Sequence, residues 1–256
     1  MHWDTKRKLV YALATIVALT AFGVFLLRNM LFPEPTCFDN KKNGFELDVD
    51  CGGTCSLRCT QEVDPLTVIW AKAVQTEQNQ YDLVGMIKNN NIDNASHELG
   101  YTFTAYDKDG NILKSWDGST TPPLDGSFPI IMQDIAISPS PAQVSLSITD
   151  GKHYKVIESP SSPTVRILDR RYEPGSIPHV YAIIKNTKQK EINKLPVRAV
   201  LFDENDNAYA VGETLIPLLG KEATQEVSFT WREPFTKSPT RIGIYPIFNP
   251  FDASSY

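Results

Sequence analysis

The chain has 256 residues, of which 41% are hydrophobic and 21% are charged, a composition typical of a folded protein rather than a disordered one. Its formal net charge of -5 argues against a nucleic-acid-binding role, because such proteins need a basic face to meet phosphate groups. A chain of this length forms one large domain or two small ones.

The first feature along the chain is an uncharged apolar run at residues 9–27. About 20 apolar residues in a helix are enough to cross the hydrocarbon core of a bilayer. Three basic residues precede the run and only Arg28 follows it closely, and this charge bias keeps an N-terminus in the cytoplasm. We therefore expect a cytoplasmic segment at residues 1–8, a single-pass signal anchor in the lipid bilayer of the cell membrane at residues 9–31, and extracytoplasmic domains after it.

A cleaved signal peptide is the alternative interpretation of the same run. Against it, the run is longer than the usual apolar region of a signal peptide, and no small-x-small cleavage site follows it. The helix of a soluble core is disfavoured as well, since the run lacks a polar face.

All four cysteines lie within 23 residues, at Cys37, Cys51, Cys55 and Cys59. In an exported segment such a cluster predicts two disulfides, with three pairings open. A zinc site is the alternative, but thiols outside the cell tend to oxidise and the wide first gap does not resemble paired CxxC motifs. We expect a small Cys-rich module at residues 37–59.

The same module is rich in side-chain oxygens. The candidate ligands are Asp39, Asn43, Glu46, Asp48 and Asp50. Oxygen ligands at short spacing in a glycine-containing loop suit a hard cation, so the pattern predicts a calcium site and no other cofactor. The alternative is a disulfide-stapled polar spacer that holds no ion, and the sequence does not choose between the two.

The pattern C-x-D-x3-N-x2-E-x2-V-D-C-G-G-x-C runs from Cys37 to Cys55. It resembles a short Cys/Asp/Gly module found in many bacterial surface and secreted proteins. The resemblance implies an exported module and assigns it no reaction.

From residue 66 onward the sequence shows short β-branched and aromatic runs bounded by Pro, Gly, Asn and Asp. This pattern is typical of antiparallel β-sandwiches, and no long helical period interrupts it. In the first half we predict strands at residues 66–73, 81–88, 101–106 and 144–148. In the second half we predict strands at residues 165–168, 180–185, 197–202 and 241–245.

The two halves match each other at an offset of 96 to 101 residues. Residues 87–89 (Ile-Lys-Asn) correspond to residues 184–186, and a later strand of each half ends in an aspartate, Asp107 or Asp203. A period of this size indicates a tandem duplication, with domains at residues 66–158 and 164–250. The proline-rich residues 159–163 predict a stiff, extended joint between them.

The repeated unit resembles the FxLYD family, an immunoglobulin-like β-sandwich of prokaryotic envelope proteins. The residues that carry the resemblance lie at 85–89, 106–110, 200–205 and 227–231. Together with the N-terminal run, it implies a mainly β fold: two tandem immunoglobulin-like sandwiches, an N-terminal transmembrane helix and a small disulfide-rich module.

The sequence contains no recognisable catalytic constellation. None of its four His lies in a metal-binding pattern, and no nucleophile or nucleotide-binding motif is present. Asp107, Asp109, Asp203 and Asp206 are interpreted as turn residues at solvated hairpin tips, with unshifted pKa values. We therefore expect that the protein is not an enzyme.

The tryptophans offer a second candidate surface, a platform for stacking carbohydrate. We instead expect Trp70 and Trp231 in the sandwich cores, and Trp116 exposed.

These features together predict an envelope protein that binds or assembles with another envelope protein through its immunoglobulin-like domains. The alternatives are a passive spacer of a membrane complex and, least favoured, an enzyme accessory subunit. Binding predicts an exposed apolar patch or an open edge strand, and a spacer predicts neither.

Overall fold

The computed structural model describes residues 3–31, 36–149, 151, 153–157 and 165–251. The predicted joint at residues 159–163 lies outside these residues. The chain divides into two compact units, Met1–Cys55 and Ser56–Tyr256.

The first unit begins with a single helix, α1 (Trp3–Leu31). Within it, Lys6–Arg28 is long and apolar enough to cross a membrane, and none of this segment is buried inside the protein. A helix that exposes apolar residues on all sides is unfavourable in water. The segment therefore has the properties of a membrane anchor or of a signal sequence.

The Cys-rich module follows as a series of turns. At its centre, an isolated antiparallel β-bridge pairs the backbones of Asp48 and Cys51. Cys37 is bonded to Cys55, with their Cα atoms 5.7 Å apart. Cys51 and Cys59 are disulfide-bonded as well, so none of the four is a free thiol. The predicted oxidation of all four cysteines is confirmed.

Within its described residues, the second unit contains fifteen β-strands and one short 3-10 helix (Thr60–Glu62). The strands are β1 (Leu57–Cys59), β2 (Thr67–Glu77), β3 (Gln80–Asn89), β4 (Asn94–Ala95), β5 (Leu99–Tyr106), β6 (Ile112–Thr120), β7 (Gly126–Ala136), β8 (Gln143–Thr149), β9 (His153–Val156), β10 (Val165–Glu173), β11 (His179–Asn186), β12 (Ile192–Phe202), β13 (Ala208–Leu219), β14 (Thr224–Thr230) and β15 (Arg241–Pro246).

These strands form two sandwiches of the same topology. In the first, sheet β2-β3-β7 faces sheet β6-β5-β8, and a small sheet β1-β9-β4 lies beside them. In the second, sheet β10-β11-β14 faces sheet β13-β12-β15. In both, the first, second and fifth main strands form one sheet and the fourth, third and sixth form the other, which is the crossing pattern of an immunoglobulin-like sandwich. The predicted fold class is confirmed.

Buried and partly exposed residues alternate along the strands, and the buried ones form the core of each sandwich. In β11, Val180, Ala182 and Ile184 are buried while the residues between them are half-exposed. Facing sheets meet closely: a Cβ added at Gly85 of β3 would lie 2.3 Å from the Leu146 side chain of β8, so a larger residue there would displace the end of that leucine. All eight strands predicted from the sequence are present.

Candidate functional site

The two sandwiches pack against each other through the outer faces of two sheets. Strand β3 is buried at every position from Tyr81 to Ile87, where a sheet with one wet face would alternate. The face of β3 that does not serve its own core contacts the second sandwich. The shared cluster contains the buried side chains of Val74, Val84, Val200, Phe202, Ala208 and Val211.

Polar and aromatic contacts reinforce this junction. Trp70 meets Phe202 edge to face, with ring centroids 6.2 Å apart. The Arg198 Nη1 donates to the Pro129 carbonyl oxygen across the junction at 2.7 Å. Ile247, which follows the last strand of the second sandwich, is buried in the core of the first. The two sandwiches therefore pack together within one compact unit.

A cleft of about 850 Å³ opens along one side of the junction. Strands β2, β3 and β7 of the first sandwich form one wall, and β13, β14 and the loop at residues 232–237 form the other. The site is therefore complete only when both sandwiches are in place. It combines aromatic side chains with carboxylates, as small-molecule and peptide sites often do.

Asp82 forms the floor of the cleft. It is 4% exposed, and its Oδ1 accepts the backbone N–H of Asp134 at 3.0 Å. Burial raises the pKa of Asp82 above its ordinary value, and the nearby Asp134 carboxylate raises it further, while hydrogen bonds from the Asp134 backbone and the Gln133 side chain oppose the rise. Asp134 itself is exposed and adopts a left-handed backbone, with φ of 58°.

The opposite wall carries an aromatic group. The Trp231 indole N–H donates to the Val211 carbonyl of β13 at 2.8 Å, which fixes the ring against the strand. Phe235 packs between Trp231 and Tyr209, at centroid distances of 5.2 and 5.4 Å. Burial raises the pKa of Tyr209 to about 12, so this phenol keeps its proton in the physiological range.

The cations at the cleft are already paired with carboxylates. Lys237 Nζ lies 2.6 Å from Asp203 Oδ2, and Arg232 forms a rim ion pair with Glu77 across the junction at 3.5 Å. Near the mouth, Arg198 pairs with Glu213. The lining therefore keeps a surplus of negative charge.

Two of the hairpin aspartates, Asp107 and Asp203, form turn hydrogen bonds, as the sequence predicts. Asp107 Oδ1 accepts the backbone N–H groups of Asp109 and Asn111, and Asp203 Oδ1 accepts those of Asn205 and Asn207. These bonds close the two turns by the same geometry.

The prediction of unshifted pKa values is wrong for two of the hairpin aspartates, Asp107 and Asp203. A hydrogen bond from the Asn111 side chain is the main cause that lowers the pKa of Asp107. Asp203 is only 8% exposed, and the hydrogen bond from Lys237 is the main cause that lowers its pKa to about 2. Both carboxyls are ionised near neutral pH and are therefore poor proton donors.

A matching pair of buried asparagines ends β3 and β11. Asn89 donates to the Pro123 carbonyl ahead of β7 at 2.8 Å, and Asn186 donates to the Gly220 carbonyl ahead of β14 at 2.9 Å. Each side-chain oxygen also accepts the backbone N–H two residues further on. These residues brace equivalent loops in the two sandwiches.

The calcium candidates make bonds within their own loop. Asp50 accepts the backbone N–H groups of Asp39 and Asn40 at 2.9 to 3.1 Å. Asp39 Oδ2 accepts from the Asn43 side chain, Glu46 Oε2 accepts the Asn43 backbone N–H, and Asp48 Oδ1 accepts that of Val49. The oxygens are thus spread over several turns. Backbone amides thus donate to the side-chain oxygens of Asp50, Glu46 and Asp48.

A zinc site in the module does not fit the disulfides. Within the part of the chain that the structure describes, the one group with metal-binding spacing is Cys37, Glu46 and Cys55. Its two sulfur atoms are bonded to each other, so neither is a thiolate ligand.

The tryptophans lie differently from the prediction. Trp70 packs in the junction between the sandwiches rather than in its own core, and Trp231 lies at the edge of its core, on the cleft. Trp116 is half-buried against the first core rather than exposed. A continuous tryptophan platform is therefore absent from these three positions.

The cleft residues were not predicted as a site from the sequence. A signal was present: residues 81–87 and 199–202 are apolar on both alternating faces, with Asp82 as the sole charged residue among them. Strands buried on both faces have this pattern. It indicates that another layer covers the sheet, although it does not identify that layer.

No family model matches the chain, and no curated protein does. Among solved structures, a transglutaminase of red sea bream matches with 12% sequence identity and a TM-score of 0.27. The match covers 72% of this chain and 29% of the transglutaminase, so the chain spans about three tenths of that protein. Nothing about this chain is inferred from a likeness of that size.

Proposed function

We propose that the chain is a single-pass, membrane-anchored binding or assembly protein of a bacterial cell envelope. Its N-terminus lies in the cytoplasm, and its Cys-rich module and sandwiches lie outside the cell membrane. The observation that carries the proposal is the cleft at the junction, because residues of both sandwiches line it.

The charge pattern supports the anchor and its orientation. Lys6, Arg7 and Lys8 begin the apolar part of α1, and Arg28 ends it. The positive charges at the N-terminal end favour its retention in the cytoplasm. The disulfides favour an oxidising compartment for everything that follows.

The FxLYD resemblance and the tandem duplication are part of the same proposal. Support for the duplication comes from equivalent residues with equivalent contacts: Asn89 and Asn186 brace matching loops, while Asp107 and Asp203 close matching hairpins. Unrelated sandwiches share a topology, but the repetition of these side-chain bonds favours descent from one domain.

Exposed apolar residues also favour a binding role over a passive one. In the Cys-rich module, Phe38 is 74% exposed and Phe45 is 81% exposed, and Leu47 is exposed beside them in sequence. Large apolar side chains left in solvent are typical of surfaces that meet a partner or a membrane. The open edges of the three-stranded sheets offer further contact points.

A spacer remains the second candidate, and one observation favours it. The buried junction fixes the distance between the two sandwiches, as a rigid support would require. A spacer has no use for an acidic, aromatic cleft, so the two candidates differ in what they predict there. An enzymatic or enzyme-accessory role is not part of our proposal.

Site-specific photocrosslinking in the native membrane tests the proposal. A photoreactive amino acid would replace Glu233, on the rim of the cleft, and in a matched control it would replace Asp109, at the β5–β6 hairpin tip. A binding role predicts a discrete protein adduct from position 233 and none from position 109. If neither position gives an adduct above that of unirradiated membranes, the binding role is refuted and the spacer is favoured.

A further inference from the structure

The charge of the cleft restricts the chemistry of its occupant. Its lining contains five carboxylates and two cations: Glu77, Asp82, Asp134, Glu213 and Glu233 against Arg232 and Lys237. Both cations are engaged, Arg232 with Glu77 and Lys237 with Asp203. An occupant that enters this cleft therefore meets a negative potential that positive charge would complement.

Three of the carboxylates have no basic partner within the described part of the chain. Among the residues that the structure describes, no Lys or Arg forms a salt bridge with Asp82, Asp134 or Glu233. Asp82 is buried at the floor, where a negative charge that has hydrogen bonds but no basic partner among the described residues is still costly. A cation bound above it would offset this cost, because charge pairing is stronger in a partly desolvated cleft than in bulk water.

The aromatic wall suits the same chemistry. The indole of Trp231 is held by its hydrogen bond to Val211, and Gly212 lies directly beneath it, since a Cβ at that position would come within 3.3 Å of the ring. Tyr209 already carries a cation near its ring: Lys237 Nζ lies 5.6 Å from its centroid. Aromatic faces beside carboxylates attract ammonium and guanidinium groups through the ring quadrupole as well as through charge.

We propose that the cleft binds a lysine or arginine side chain presented on an extended segment of a partner protein. This inference rests on the proposed binding function and adds to it the class of ligand. The size of the cleft fits a short segment, since about 850 Å³ lies within the range of pockets that enclose a drug-sized ligand.

Titration of the full-length chain with short peptides tests this inference. The chain has four Trp, so its indole N–H groups give four NMR signals in detergent micelles, and W231F identifies the signal of Trp231. The probe is a capped Gly-Arg-Gly-Arg-Gly peptide, and its matched control has Glu in place of Arg. We expect a saturable shift of the Trp231 signal with the arginine peptide and none with the glutamate peptide.

Three variants locate the binding. D134N and E233Q each remove one unpaired carboxylate, and each should raise the Kd of the arginine peptide about tenfold. Asn tolerates the left-handed backbone of Asp134, so D134N should fold. D109N removes the same charge at a hairpin tip outside the cleft and should leave the Kd unchanged.

Each remaining outcome has a definite meaning. The inference is overturned if the arginine peptide does not shift the Trp231 signal, or if the glutamate peptide shifts it equally. It is also overturned if a neutral oligosaccharide in place of the arginine peptide shifts the signal, or if D109N and D134N lose equal affinity for the arginine peptide. A protein adduct from position 233 combined with any of these results would leave the binding function standing without the cationic ligand. The absence of both the adduct and the peptide shift would refute both proposals.

Discussion

Phe202 lies on the outer face of β12, where an isolated sandwich would expose it to water. In the structure it is 2% exposed, because Trp70 of the first sandwich meets it edge to face and the Arg241 guanidinium of its own sandwich lies over its ring. Truncation of this side chain to Ala removes about 150 Å² of buried apolar surface, which at about 25 cal/mol per Å² corresponds to about 4 kcal/mol. Measured losses for buried Phe→Ala changes, about 3 to 5 kcal/mol, agree with this figure.

Urea denaturation of the full-length chain in detergent, followed by the β-sheet circular dichroism signal, measures this loss. With a denaturant dependence of about 2 kcal/mol per M, F202A should lower the unfolding midpoint by about 2 M. The matched control is L215A in the neighbouring strand β13, where Leu215 is 54% exposed and truncation should cost less than about 1 kcal/mol. If F202A costs no more than L215A, Phe202 is a surface residue in solution and the packed junction is refuted.

Three further predictions concern the hydrogen-bonded loops. N186A should lower the free energy of unfolding in urea by about 2 kcal/mol, because buried backbone groups lose their side-chain partner, and a loss below about 0.5 kcal/mol would contradict that role. The pKa of Asp203 is about 2 in the folded chain, whereas its ordinary value is 3.8. Ionised Asp203 therefore stabilises the fold above a pH of about 4, and this stability is lost as the pH falls toward 2. K237M should flatten the dependence of Tm on pH in that window, and an unchanged slope would argue against the Lys237 pair. If the Cys-rich module binds calcium, a chelator should speed protease cleavage within residues 37–59, whereas an identical digestion pattern with and without chelator would count against a structural ion.

The strands could be predicted from the sequence because their signal is local. Alternation of apolar residues and the turn residues around them predicted the bounds of β3 and β5 to within two residues. The hairpin bonds of Asp107 and Asp203 were predictable for the same reason, since each aspartate bonds to amides two and four residues further along.

The junction could not be predicted, because it depends on residues far apart in the chain. Val84 and Phe202 are separated by more than a hundred residues, and a strand with apolar residues on both faces indicates a covering layer without identifying it. The burial of Asp203 has the same origin: Lys237, its partner, lies 34 residues away. Sequence reasoning placed Asp203 at a hairpin tip correctly and left out the side chain that covers it.

The calcium prediction shows a third kind of limit. A carboxylate oxygen in a short loop either coordinates a cation or accepts a hydrogen bond from a backbone amide. The composition of the loop alone does not decide between the two. Asp50 accepts two amides of the same loop, so its place in the module has a structural explanation that needs no ligand. The prediction therefore depends on the chelation experiment.

The way in which the sandwiches stack limits where a partner can bind. The first contributes its β2-β3-β7 sheet and the second its β13-β12-β15 sheet, so the contact joins unlike faces. Such a contact could continue from chain to chain if the two outermost faces were also complementary and apolar. Both faces carry polar contacts instead: Thr102 bonds to Asp117 on one, and Arg171 pairs with Glu226 on the other. These polar contacts disfavour repetition of the stack, so under the proposed binding function a partner would meet the sandwich unit at the acidic, aromatic cleft rather than at a second copy of the junction.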